Sequence, residues 1–238
     1  MINGLYSGAA AMQMLAKHQE LISSNLMHVN SSGHRRVQPA VRQRFGDGSP
    51  ELTIDRGPEV DKVTTDFRPG RLVDTNRPLD IAISGNGFFS FQNGDQEILT
   101  RNGRLFRDAE SGELVNEDGY PIQGENGAIV VDPNIAEQSI GIASDGTVSA
   151  NGNVLGKIQA VAFDNNETLI PFGAIAFTRG VDTVESEAPA KIVQNRHELS
   201  NVQPVFELIS LIVNTRQHEA VQKATSSLAD SLQEYIRS

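Results

Sequence analysis

The chain has 238 residues and a formal net charge of −10, with no cysteine and no tryptophan. It is long enough to bury a substantial core in one large domain or two smaller ones. The missing cysteines exclude disulfide scaffolds, thiol catalysis and cysteine-ligated zinc. The acidic balance, with no basic stripe carrying interleaved aromatics, argues against a nucleic-acid partner.

Charge is unevenly spread. Residues 1–45 hold Lys17, Arg35, Arg36, Arg42 and Arg44 against Glu20 alone, giving +4, so the remainder carries −14. Arginines beyond a nearly neutral segment are expected to sit against neighbouring carboxylates. The N-terminus has no basic leader before an apolar block. No uncharged run reaches the roughly 20 strongly apolar residues of a membrane span, so no membrane insertion is expected.

Residues 3–30 predict a long helix. Leu5, Gly8, Met12, Leu15, Gln19, Ile22, Leu26 and Val29 recur at alternating three and four residue steps, the spacing of a coiled-coil seam. The opposite face, Asn3, Ser7, Gln13, His18, Ser24 and Asn25, is polar and almost uncharged. Such a face can hydrogen-bond to other helices without the desolvation penalty of burying charge. Ser31-Ser32-Gly33 reads as the C-terminal stop, glycine being free to take positive φ.

From about Gly46 to Pro189 lie most of the glycines and prolines, with short alternating runs such as "LDIAIS", "GFFSFQ" and "KIQAVAF". Asn93-Gly94, Asn102-Gly103, Asp118-Gly119, Asn126-Gly127 and Asp145-Gly146 punctuate them as turn signals. This predicts a mostly antiparallel all-β region. Within it, "ISGNGFFS" imitates a dinucleotide fingerprint. The third glycine is replaced by Ser90 and no helix follows, so a glycine turn or bulge is expected. Residues 164–168, "DNNET", lack the central glycine and distal glutamate of a calcium loop and read as a turn. The histidines 18, 28, 34, 197 and 218 show no metal-ligand spacing, and no cofactor is expected.

Beyond Ser200 or Asn201 as N-cap, Pro204 fits the first turn of a second long helix. Its apolar residues are Val202, Val205, Phe206, Ile209, Ile212, Val213, Ala220, Ala224, Leu228, Leu232 and Tyr235, several in an eleven-residue row. The expected fold is therefore α+β. Long terminal helices pair as a coiled-coil domain from 1–40 plus 196–238, and a β domain spans 41–195. Taken alone, these patterns suit an assembly protein; a β-rich enzyme or a secreted adhesin with helical ends is the alternative.

Three stretches carry a resemblance. At the first, Asn25, Leu26, Val29, Asn30 and Gly33 match a helix ending in Asn-Leu-x-x-Val-Asn-Thr-x-Gly, with Met27, His28 and His34 departing from the usual Ala, Asn and Phe. The second is the central run "LDIAISGNGFFSFQNGDQEILTRNGRLF" and its continuation. The third is Glu198, Ser200, Asn201 and Val202 ahead of the last helix. In order and position they resemble the bacterial flagellar rod and hook family of axial proteins. The resemblance implies an inner helical layer lining a tube with the β domain outside it. It also implies copies of itself and other axial proteins as partners, export by the flagellar type III apparatus without a cleaved leader, and a place in the basal body across the periplasm. The short stretch 38–76 carries no extended insert, which points to a proximal- or distal-rod-type subunit. The residues expected at assembly contacts are Leu5, Met12, Leu15, Ile22, Asn25, Leu26, Val29, Asn30 and Gly33, with Asn201, Val202, Val205, Ile209, Ile212, Val213, Ala220 and Leu228 from the other end.

Overall fold

A computed structural model describes residues 2–45, 55–186 and 191–237. They fall into two compact units, one from 1–27, 36–66 and 203–238, the other from 28–35 and 67–202. The expected division at 40/41 falls inside a strand, and that at 195/196 falls in a turn.

The first unit contains helix α1 (Ile2–Met27), strands β1 (Val37–Phe45) and β2 (Asp55–Thr65), and helix α2 (Pro204–Arg237). α1 ends at Met27, so Val29 and Asn30 lie in the following turn rather than in the helix. β1 and β2 pair antiparallel, Val37 opposite Thr65, and α1 lies on them. α1 and α2 run antiparallel. Asn25 reaches Glu207, Asn214 Nδ2 donates to the Leu15 carbonyl at 3.0 Å, Gly8 faces Thr225, and Gly4 faces Leu228. The two glycines explain themselves here. A methyl group on Gly8 would sit 2.6 Å from Thr225 Oγ1, so the helix accepts the entropic penalty of glycine where Thr225 packs against it.

The second unit is antiparallel throughout its described strand pairs. Strands β3 (Leu72–Asp74) and β4 (Ile81–Ser84) pair with Arg196–Glu198 and Lys191–Gln194. β5 (Phe88–Asn93) and β6 (Gln96–Thr100) form a hairpin through Asn93-Gly94, with Gly94 at φ 58°. That hairpin is the middle of a six-stranded sheet, flanked by Ala176–Thr178 and Ile170–Phe172 on one side and Ala160–Phe163 and Glu185–Ser186 on the other. Strand alternation explains the sequence "GFFSF". Phe89 and Phe91 enter the larger core with Leu79, Ile81, Leu105 and Ile122, while Phe88 enters a second cluster with Leu99, Phe163 and Phe177. In that cluster Phe67, Phe88, Phe163 and Phe177 have ring centroids 5.2 to 6.2 Å apart. Apolar residues occupy consecutive positions because β5 is buried on both faces.

The dinucleotide-like glycines are a bend between β4 and β5, with Gly85 at φ 109° and Gly87 at φ 135°. Residues 166–168 form one 3-10 turn capped by the Asn165 side chain, in line with the turn expected there. Asn102-Gly103 is not a hairpin turn. Gly103 is needed for proximity, since a Cβ there would lie 1.9 Å from the Ile81 carbonyl oxygen. Gly103→Ala is therefore expected to destabilise the β-rich unit by about 3 kcal/mol. Gly141→Ala, whose methyl would meet only Ser149 Oγ at 3.4 Å, should change stability by less than about 0.5 kcal/mol. Hydrogen exchange in β5 and β6 measures both.

Candidate functional site

Among the described residues, each unit holds a buried carboxylate bridged to arginine, Glu207 in the first and Glu198 in the second. In the first unit, Glu207 on α2 is buried and takes a hydrogen bond from Arg36 Nε. Beside it Asn25 clamps the start of β1: Nδ2 donates to the Val37 carbonyl at 2.8 Å, and the Val37 N–H donates to Oδ1 at 2.9 Å. Asn25 was expected on a polar face offered to other helices. Within the chain its carboxamide serves Val37 and, on α2, Glu207. In the second unit, Glu198 accepts from Arg35 Nη2 at 2.7 Å, from the Gly70 N–H at 2.6 Å and from Arg101 Nη1 at 3.3 Å. Arg101 also donates to the carbonyls of Ile83 and Gly85. Burial brings the Arg101 guanidinium down to about 10, with Glu198 opposing and Arg35 adding, which leaves it charged at neutral pH. Arg35 and Arg36 are thus paired with carboxylates as expected; the side chains of Arg42 and Arg44 lie outside the described residues.

The remaining described chemistry is modest. A groove of about 340 Å³ is lined by Thr100, Asn116, Glu117, Asp118, Tyr120 and Phe172, among others. Its polar groups hold the turn that walls it: Asn116 Oδ1 accepts from the N–H groups of Asp118 and Tyr120, and Glu117 pairs with Arg104. Among the described residues no three His, Asp or Glu side chains are grouped to hold a metal. No described helix is long and apolar enough to cross a membrane.

The distinctive surface is on α2. Its side toward α1 carries buried Glu207 and Asn214, with Leu211, His218, Val221, Thr225, Leu228 and Leu232 half-buried at four and three residue steps between and beyond them. Its other side carries Val205, Phe206, Ile209, Ile212 and Val213, which are 67, 65, 52, 57 and 48 % exposed. Leu208 is also exposed. A helix in water normally presents the reverse arrangement.

The residues expected at assembly contacts separate accordingly. Leu15 and Ile22 are buried, and Leu5, Met12 and Leu26 are half-buried along α1. In the turn after α1, Val29 is half-buried and Asn30 exposed. Gly33, at φ 73°, is packed so tightly that a Cβ would lie 2.5 Å from the Asn102 nitrogen. Asn201 Nδ2 donates to the Arg68 carbonyl at 3.0 Å, and Val202 is buried. Val205, Ile209, Ile212, Val213 and Ala220 are exposed, whereas Leu228 abuts Gly4. Arg101, Glu207 and Asn214 were not singled out from the sequence, and Glu198 was named only as part of the C-terminal motif. The seven-residue step from Glu207 to Asn214 within an apolar helix was the available signal.

The model of the flagellar hook protein FlgE/F/G D1 domain matches residues 82–150, and that of the flagellar basal body rod FlgEFG protein C-terminal region matches 193–237. The flagellar basal-body rod protein FlgF of Caulobacter vibrioides is 30 % identical over an alignment of 240 residues, covering 97 % of this chain and 95 % of that protein. The chain belongs to the flagellar basal-body rod protein family. Other relatives agree: FlgF of Salmonella typhimurium is 29 % identical with 97 % and 96 % covered, and FlgG of Bacillus subtilis is 28 % identical with 99 % and 98 % covered. This is a structural protein of the flagellar rod family, and the enzyme and adhesin alternatives gain no support. The family's C-terminal match takes in both Glu198 and the whole exposed face of α2.

Glu198→Ala would leave two buried guanidinium groups facing one another without their shared anion. It is expected to cost about 3–5 kcal/mol of stability in the β-rich unit, read from denaturant titration followed by hydrogen exchange.

Proposed function

We infer that this chain is a proximal- or distal-rod-type subunit that self-assembles through its terminal helices into a hollow helical drive shaft. The shaft transmits torque and encloses the export channel. In this reading the helices act as a coiled-coil layer, the partners are further copies and other axial proteins of rod and hook, and the subunit's role is mechanical rather than catalytic. It travels through the flagellar type III export apparatus without a cleaved leader and takes its place in the basal body across the periplasm.

The observation that carries the reading is the outward apolar side of α2. Fully burying one such side chain contributes about 1.5–3 kcal/mol, and these five are already part-covered, so covering them adds on the order of 5–8 kcal/mol gross. Association alone costs a comparable amount, about 4–15 kcal/mol. A single contact of this kind is weak. A durable shaft therefore needs each subunit touched by several neighbours, and a head-to-tail contact that repeats without closing supplies them as a filament. Cooperative assembly follows from the same arithmetic, because an isolated subunit gains too little from one neighbour.

Ile209→Asp combined with Ile212→Asp should leave helix content and the β-rich unit unchanged in the purified subunit, by circular dichroism and hydrogen exchange. In cells carrying only this variant, incorporation into rods and swimming should be lost. Leu26→Asp should behave alike. Normal swimming with either variant contradicts the reading.

A further inference from the structure

Segment 28–35 follows α1 in the chain and belongs to the β-rich unit. Four contacts seat it there. The Gly33 N–H donates to the Glu198 carbonyl at 2.9 Å, and the Asn201 N–H donates to the His34 carbonyl at 3.4 Å. Arg35 Nη2 meets Glu198 Oε1 at 2.7 Å, and His34 Nδ1 lies 2.7 Å from the Ala174 carbonyl oxygen.

The last contact differs in kind from the others. A carbonyl only accepts, so this bond assigns the proton to Nδ1 and leaves Nε2 of the neutral ring as a bare lone pair. That Nε2 is buried and has no hydrogen-bond partner among the described residues. A second proton would have to enter there, on an atom with no acceptor to receive its bond. The surroundings oppose it further. His28 lies on the same segment with its ring centroid 4.9 Å away, and Arg35 is the next residue. Arg101, just beyond β6, shares with Arg35 the single carboxylate of Glu198 on strand Arg196–Glu198. From the loop before Ala176–Thr178 comes the Ala174 carbonyl, which favours the proton already on Nδ1. Burial accordingly holds His34 below the ordinary imidazole range, the Ala174 bond partly countering it and His28 and Arg35 adding to it.

We propose that His34 is an acid-released clasp: neutral, it seats segment 28–35 on the β-rich unit, and protonated, it lets the segment go while the β core stays folded. The direction follows from linkage. The released state takes up the proton more readily, so the docking is complete above the ordinary histidine value of about 6.5 and is lost as pH falls below it. Because 28–35 directly follows α1, the clasp makes the anchorage of the chain leaving that helix depend on pH.

The test is hydrogen exchange on the full chain at about pH 7.5 and 5.5, corrected for the intrinsic rate. Its reporters are the Gly33 and Asn201 amides, with the β5–β6 amides as reference. Gly33 and Asn201 should lose protection on acidification, by at most about tenfold per pH unit for a single proton, while β5–β6 holds. His34→Phe should abolish the pH dependence and His28→Gln should retain it. If His34→Phe fails to fold, His34→Gln, whose amide can still donate to Ala174, replaces it. A proton-detected titration of the wild-type imidazoles gives a second reading, with His34 titrating below the ordinary imidazole range. The proposal is overturned by unchanged protection at Gly33 and Asn201, by equal loss in the non-titrating variant, by loss in step with β5–β6, or by an ordinary titration of His34.

Discussion

The architecture of the helical unit depends on which side of α2 is turned inward. Glu207 and Asn214 point toward α1 and its strands, where Arg36, Asn25 and the Leu15 carbonyl receive them. Once these polar groups are placed inside, the helix has only one place for Val205, Phe206, Ile209, Ile212 and Val213, and that is outside. A polar inner layer of this kind adds little net stability compared with an apolar one, but it is unforgiving of misalignment, because a shifted register would strand a buried carboxylate. The helix is thereby held in one setting with its apolar side still available.

The β-rich unit solves a different problem with the same device. β5 is buried on both faces over residues 88–91, and its placement follows from strand alternation. The chain segments that cross its edge need more, and Glu198 supplies it by accepting from Arg35, Arg101 and the Gly70 backbone together. Gly33 and Gly103 do the complementary steric work, each admitting a backbone where any side chain would collide. Thus residues far apart in the chain, 33–35, 70, 101–102 and 198, close on one another through one anion and the missing methyl group of Gly33.

Much of this was legible in the sequence, and the limits have physical causes. Periodicity announced both long helices, and the Asn93-Gly94 hairpin and the positive φ of Gly33 followed from the special freedom of glycine and its neighbours. Periodicity identifies an apolar face without naming its partner. The row through Val205, Ile209 and Val213 reads equally well as a seam inside the molecule or as a surface outside it, and only the buried Glu207 and Asn214 distinguish the two. Asn25 was expected at a contact, but a helical pattern does not name the partner, and the pairing of Asn25 with Val37 is tertiary information. The helix stop was placed three residues late because residues 28–30 keep a turn-like path that pattern alone does not separate from helix.

The account stands on the outward side of α2 being covered in the assembled shaft. The absence of cysteine makes that directly measurable, since a single Cys introduced at Ile209 is the only thiol in the chain. Maleimide labelling of this variant should be rapid in the free subunit and strongly suppressed in purified rods, while a Cys at exposed Val154 on the β-rich unit reports that the reagent reaches assembled material. Equal labelling of position 209 in free subunit and rod would contradict the account.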